Sequence, residues 1–250
     1  MTPIAVFHVL LLVISPVIGS FLAVLVDRLP RGQSVVMPRS ACRACDTRLR
    51  ARDLVPVLSF ALSRGRCRHC AAPIPPFTLY TELLAIGAAL LAILNGGDMA
   101  LVALNALWLW LLIALAMTDL LWFRLPDLLT GTLAVVAWAL AVTPGGPGLG
   151  HAAWGVALGA GSFALIRWAY AKVRGREGLG LGDVKLMIGL GAFAGPFALP
   201  HLVLFAALFA LAGALATRHT TDGMAATRPL PFGTALCAAA ALLWLMRAAG

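Results

Sequence analysis

Apolar stretches of about the length needed to cross a lipid bilayer recur along almost the whole chain, and this leaves few options for its fold. Eight are expected, at residues 4–26, 77–94, 99–118, 126–142, 152–170, 184–197, 199–217 and 230–246. With 61% hydrophobic and 12% charged residues, too few charges remain to cover a water-soluble surface. The first stretch is expected to remain as a span and not to act as a cleaved leader. Residues 1–5 hold no Lys or Arg, and the apolar run continues to position 26.

The formal charge of +9 could suggest a nucleic-acid partner, but its placement argues against one. Ten of the 19 Lys and Arg residues lie between 27 and 76, one is Arg124, and five run from Arg167 to Lys185. Arg218, Arg228 and Arg247 complete the count. Basic connections thus alternate with connections that carry no Lys or Arg, which is the positive-inside pattern. It places the basic loops in the cytoplasm and, with eight spans, both termini outside. The turns around Asn95-Gly96-Gly97-Asp98 and Pro144-Gly145-Gly146-Pro147-Gly148 fall on the opposite side.

The expected architecture is an all-α polytopic membrane protein of about eight transmembrane helices. A small zinc-ribbon-like cytoplasmic domain lies between helices 1 and 2. The expected division is residues 1–26 as the first span, 27–76 as the zinc-binding domain and 77–250 as a membrane domain of about seven helices. Within 27–76, Cys42 and Cys45 form one CxxC pair and Cys67 and Cys70 another. Two thiolates from each pair can close a tetrahedron around Zn2+, with no position left for water, so the site is structural. The alternative is disulfides, disfavoured in a reducing compartment. A loop of about fifty residues also needs such a staple to fold. His69 is expected in solvent and Cys237 in packing. The arginines around the pairs suit anionic headgroups.

Only ten carboxylates occur, so they can be sorted exhaustively. Asp46, Asp53, Asp98 and Asp222 are expected in solvent, and Asp27 beside Arg28 should pair or face water. Glu82, Asp119, Asp127, Glu177 and Asp183 remain, each at the expected cytoplasmic end of a span, where a carboxylate is a functional candidate. Asp119 ends one span and Asp183 begins another, within Gly178-Leu179-Gly180-Leu181-Gly182-Asp183-Val184-Lys185. One span descends to its acid and the other rises from its own, so the two can meet at one depth. Paired carboxylates sharing a proton are the apparatus of an aspartic protease, one activating water and one polarising the peptide carbonyl. Gly178, Gly180 and Gly182 would keep the backbone narrow beside an extended peptide. Lys185 is expected at headgroups or substrate. Asp127, just after Pro126, reads as a helix-start carboxylate and the reserve candidate. For Asp183 alone, a helix cap is the competing reading. Two other functions remain open: a proton-coupled transporter with carboxylates nearer mid-membrane, and a non-enzymatic zinc-stabilised assembly factor.

Nearly the full length resembles the type IV prepilin peptidases, the leader peptidase/N-methyltransferase family of GxGD-type membrane aspartic proteases. The resemblance runs through Gly19-Ser20-Phe21-Leu22, Arg28-Leu29-Pro30, both CxxC pairs, Arg64-Gly65-Arg66-Cys67 and Tyr80-Thr81-Glu82-Leu83-Leu84. It continues through Asp119, Leu125-Pro126-Asp127-Leu128-Leu129-Thr130, residues 177–186 and Pro231-Phe232-Gly233. It implies that Asp119 and Asp183 are catalytic. Glu82, Asp127 and Glu177 are kept as supporting residues, Glu82 either as an interfacial participant in methylation or as a buried carboxylate satisfied by an arginine of the cytoplasmic domain. The resemblance also implies an enzyme of the bacterial inner membrane that removes the basic leader of type IV prepilins or type II secretion pseudopilins at the cytoplasmic face. Many members then methylate the new amino terminus with S-adenosylmethionine, and a peptidase without that activity is the alternative. Ala23, Asp27 and Phe60 depart from the residues common at those places, which makes methylation less secure than proteolysis. The particular substrate, the methylation residues and the oligomeric state are not set by the sequence.

Overall fold

A computed structural model describes residues 2–37, 39–176, 178–218 and 230–249. Glu177, Asp222 and Arg228 lie outside the described residues. The secondary structure is helical: α1 (Pro3–Arg28), α2 (Leu58–Leu62), α3 (Phe77–Asn95), α4 (Met99–Trp122), α5 (Asp127–Ala141), α6 (Leu149–Arg174), α7 (Leu181–Arg218) and α8 (Phe232–Ala249). Two short 3-10 turns, Leu29–Arg31 and Ala51–Asp53, lie between α1 and α2. Among the described residues, five helices, α1, α3, α4, α6 and α7, are long and apolar enough to cross a membrane, and α5 and α8 are shorter apolar helices. The protein is a multi-pass membrane protein.

All eight expected apolar stretches are helical, and the sixth and seventh are the two helices that meet at a kink within α7. Helix α7 runs through both and breaks at Gly195, whose φ of 69° and ψ of 176° are non-helical. A side chain there would be strained by the dihedral and would also overlap the His151 imidazole. The break frees backbone carbonyls ahead of Pro196, which has no N–H to offer them. Arg247 of α8 takes up that role, donating to the carbonyls of Phe193 and Ala194 at 2.8 Å each while its guanidinium covers the Phe193 ring. A cation at the carboxyl end of a half-helix also suits its dipole. The one basic residue outside the expected loops is therefore spent on satisfying backbone carbonyls that an apolar surrounding would leave unpaired at a cost.

The chain divides into two compact units, residues 1–114 and 115–250. In the first, α1 packs on α3, where Gly19 lies against the Thr81 carbonyl and the Glu82 backbone, too close for any side chain. Trp110 of α4 donates its indole N–H to the Ala85 carbonyl at 2.9 Å. Asp98 is exposed, as expected, and also caps α4 by accepting from the Leu101 N–H at 2.7 Å. In the second unit α7 is central, packed by α5, α6 and α8. Gly155 of α6 and Gly191 of α7 meet backbone to backbone, so these helices approach more closely than branched side chains would permit.

Candidate active site

Helix α4 carries Asp119 one turn before its end. The helix stops at Phe123, whose φ of 51° is in the left-handed region, and whose N–H returns to the Asp119 carbonyl at 2.9 Å. The chain then turns through Leu125 and Pro126 into α5. Asp119 is buried, and α8 supplies its hydrogen bonds. The Thr234 N–H donates to Asp119 Oδ2 at 2.7 Å, with the Thr234 hydroxyl 3.1 Å from the same oxygen and 3.0 Å from the Ala116 carbonyl. The Gly233 N–H also bonds this carboxyl. Gly233 is required sterically, because a Cβ there would stand 3.0 Å from Asp119 Cγ.

Asp183 begins α7. It is the third residue of the helix, and its carboxyl reaches back to the N–H of Gly180, the residue before the helix. The cap expected as its competing role is thus present, but it occupies only part of the carboxyl. Asp183 and Asp119 lie within electrostatic reach of each other, and the buried Cys237, one turn beyond Thr234, feels both. Leu125 lies between the elements that carry them. Its side chain would contact a Cβ placed on Gly182, next to Asp183, and another placed on Gly233, against Asp119. The two acids, 64 positions apart by their numbers, are thus brought together at the ends of two helices. Asp119 is enclosed and Asp183 is half-buried, so the pair is accessible from the α7 side.

The glycines of the motif earn their place by contact and not by dihedral. None of Gly178, Gly180 and Gly182 has a positive φ. A Cβ at Gly178 would overlap the Tyr170 ring, one at Gly180 would stand 3.2 Å from Asp183 Oδ2, and one at Gly182 would crowd Leu125. Arg167 holds the Leu179 carbonyl between them at 2.8 Å. Lys185, expected at headgroups or substrate, pairs with the exposed Asp127 at 2.7 Å. That contact joins the starts of α5 and α7 beside the carboxylate pair. Glu177 is a sequence candidate outside the described residues.

The cysteine site belongs to the first unit. The four Sγ atoms of Cys42, Cys45, Cys67 and Cys70 lie within 4.8 Å of one another, and Cys42 and Cys70 are 3.8 Å apart. Four zinc–sulfur bonds of ordinary length put the sulfurs about 3.8 Å apart, so the donor set fits a tetrahedral metal ion. None of the cysteines is in a disulfide. The two halves are built alike. Isolated bridges Ala41–Arg48 and Arg66–Pro73 close the two turns, and Asp46 and Ala71, each just after a second cysteine, take left-handed φ. The N–H groups of Ala44 and His69 point at Cys42 and Cys67 sulfurs at 3.4 and 3.5 Å. The hydroxyl and N–H of Thr47 hold the Cys45 thiol down to about 6, which favours the thiolate a metal needs.

Each CxxC also carries an arginine that leaves the turn for a carboxylate. Arg43 pairs with Asp27 at the end of α1, and Arg68 with Asp53 at 3.2 Å. Asp53, expected in solvent, is therefore a strut of the second half, and it also accepts the Arg50 N–H. Asp27 pairs with Arg31 and Arg43 and not with Arg28, whose guanidinium holds the Ser34 and Val35 carbonyls. Glu82 is buried in α3, where it accepts the Val57 N–H at 2.7 Å and bonds the Ser20 hydroxyl. The residues missed by sequence reasoning are Thr234 and Arg247. Thr234 directly follows Pro231-Phe232-Gly233, the one available signal.

Fold and site define a polytopic membrane protein with a thiolate cluster in one unit and a carboxylate pair at helix ends in the other. Known proteins agree with that description. The Bacterial Peptidase A24 N-terminal domain matches residues 13–95, and the Type IV leader peptidase family matches residues 106–215. The chain belongs to the type IV leader peptidase family. A Burkholderia pseudomallei (strain 1026b) protein named prepilin leader peptidase/N-methyltransferase is 42% identical over 108 residues, covering 42% of this chain and 34% of that protein. An Aeromonas hydrophila protein of the same name is 33% identical over 149 residues, 48% of this chain and 50% of its own. The type 4 prepilin-like proteins leader peptide-processing enzyme of Escherichia coli O78:H11 is 37% identical over 149 residues, covering 49% and 54%. The chain thus spans about a third to a half of the length of these curated relatives. No solved structure matches.

Proposed function

We propose that the protein is an aspartic endopeptidase of the bacterial inner membrane that removes the basic leader of type IV prepilins or type II secretion pseudopilins at the cytoplasmic face. The observation that carries this reading is that Asp119 and Asp183 are in electrostatic reach of each other, with Leu125 against the glycine beside each of them. Water between the carboxyls gives a proton to one of them and attacks the scissile carbonyl. The other carboxyl, protonated, donates to the carbonyl oxygen, and the leaving amine then takes a proton from the pair. Thr234 fixes Oδ2 of Asp119, and the Gly233 N–H bonds the same carboxyl. The half-buried Asp183 faces the peptide, and the Gly178, Gly180 and Gly182 backbone borders it. Helix-end placement favours this reading over the transporter, for which mid-span acids are expected.

The four cysteines hold a structural Zn2+ that staples residues 27–76 as a cytoplasmic domain. The basic loops set that orientation, with both termini periplasmic. Methylation of the new amino terminus with S-adenosylmethionine is proposed on the relatives' printed names, and no described residues are assigned to the methyl donor. Purified protein is incubated in detergent with a peptide carrying a basic leader, a glycine and an apolar segment, with and without S-adenosylmethionine. Mass spectrometry should show cleavage after the glycine and, with the donor, one methyl group added. Cleavage that persists in the Asp183→Asn protein would remove the peptidase assignment.

A further inference from the structure

Within residues 27–76, large apolar side chains are left exposed at two places: Val36 and Met37, and a continuous segment bearing Leu54, Val55, Leu58 and Leu62. The second group runs from just after the Ala51–Asp53 turn to the end of α2, with Leu58 54% and Leu62 68% exposed. No spanning stretch includes it. It is tied to a spanning helix by the bond from the Val57 N–H to the buried Glu82 at 2.7 Å. Glu82 is the sixth residue of the spanning helix α3, about 8 Å along the axis from its start. Val57 holds a φ of 61°, costly for a β-branched residue, so the tether is kept against backbone strain.

Exposed arginines bracket this apolar segment, Arg50 and Arg52 before it and Arg64 after it. A short amphipathic element with apolar side chains between cations, held level with the first turns of a spanning helix, has the chemistry of a monotopic insertion. We infer that residues 54–62 lie in the bilayer interface, their leucines among acyl chains and the arginines on anionic phospholipid headgroups. Anionic headgroups are favoured over a protein partner by the cationic rim and by the tether to α3 at membrane depth. The zinc-stapled lobe is thereby attached to the membrane at a point other than its two chain ends. This reading stands apart from the proposed peptidase activity.

The test uses the full chain in phosphatidylethanolamine vesicles, with or without phosphatidylglycerol, carrying the photocrosslinker p-benzoylphenylalanine at position 58, 62 or 48. Residue 48 is exposed within the first cysteine turn and serves as the aqueous reference. Mass spectrometry should find lipid adducts at 58 and 62 at least about tenfold above those at 48. The Arg50→Gln/Arg52→Gln/Arg64→Gln protein should lose the excess that phosphatidylglycerol adds. Adducts only to another protein chain, including an added prepilin-like peptide, would overturn the inference, as would equal lipid labelling at all three positions. Glu82→Ala, which removes the acceptor of the Val57 N–H, gives an independent reading. Losing the tether should lower lipid adducts at 58 while leaving zinc bound, and unchanged adducts would also overturn the inference.

Discussion

The thiolate cluster and the carboxylate pair gather their groups in opposite ways. In the first, the ligands make the local structure: two near-identical turns converge because four sulfurs point inward, with Asp27 and Asp53 bracing them through Arg43 and Arg68. In the second, packed helices make the site, and the acids are passengers on α4 and α7, aimed by Thr234, Gly233 and Leu125. Chemistry holds the fold together at one place, and the fold holds the chemistry at the other. Substitutions should therefore damage structure in the first and rate in the second.

The sharpest break is at the acids. Asp119→Asn and Asp183→Asn should each lower cleavage about a thousandfold or more while membrane insertion and melting stay unchanged, read by peptide turnover and by a thermal scan in detergent. A loss of folded protein instead would make the pair structural, like the sulfurs. At the cluster, Cys42→Ser or a strong chelator should take bound metal from about one zinc per chain to none. Limited proteolysis should then cut inside residues 27–76 and spare 115–250. Gly233→Ala sharpens the contrast, since its Cβ would press on the Asp119 carboxyl. A displacement of a few tenths of an ångström should cost about tenfold to a hundredfold in kcat, with metal content untouched. Thr234→Val removes only the hydroxyl and keeps the N–H. It should lower kcat about threefold to tenfold at constant KM, with Thr234→Ser restoring it. Least of all for the reaction, Arg247→Met should lower the apparent Tm by about 3 °C or more through the loss of two carbonyl partners, with kcat nearly unchanged.

The helices were legible because hydrocarbon thickness dictates run length, and the cysteines because metal ligation dictates spacing. The break in α7 was legible to within a few residues as the boundary between stretches 184–197 and 199–217, but what satisfies it was not. Gly195 accepts a left-handed φ there, and Arg247 takes up the opened carbonyls from a different helix. No local pattern records such a partner. The same holds for Asp53, whose spacing reads as solvated and whose mate Arg68 is found only once the second turn has closed. Asp119 and Asp183 could be nominated from their positions at span ends, but which groups aim them could not. Thr234 looks like any small polar residue opening an apolar helix until α8 is set beside α4.

Leu125 has no reactive atom, yet it touches the neighbourhoods of both acids. In the proposed peptidase its bulk would work as a shim: thinning it to alanine or thickening it to phenylalanine would reset the spacing of the two acids. Catalytic tempo in such a protein can thus be adjusted by side-chain volume alone, without changing any group that handles a proton.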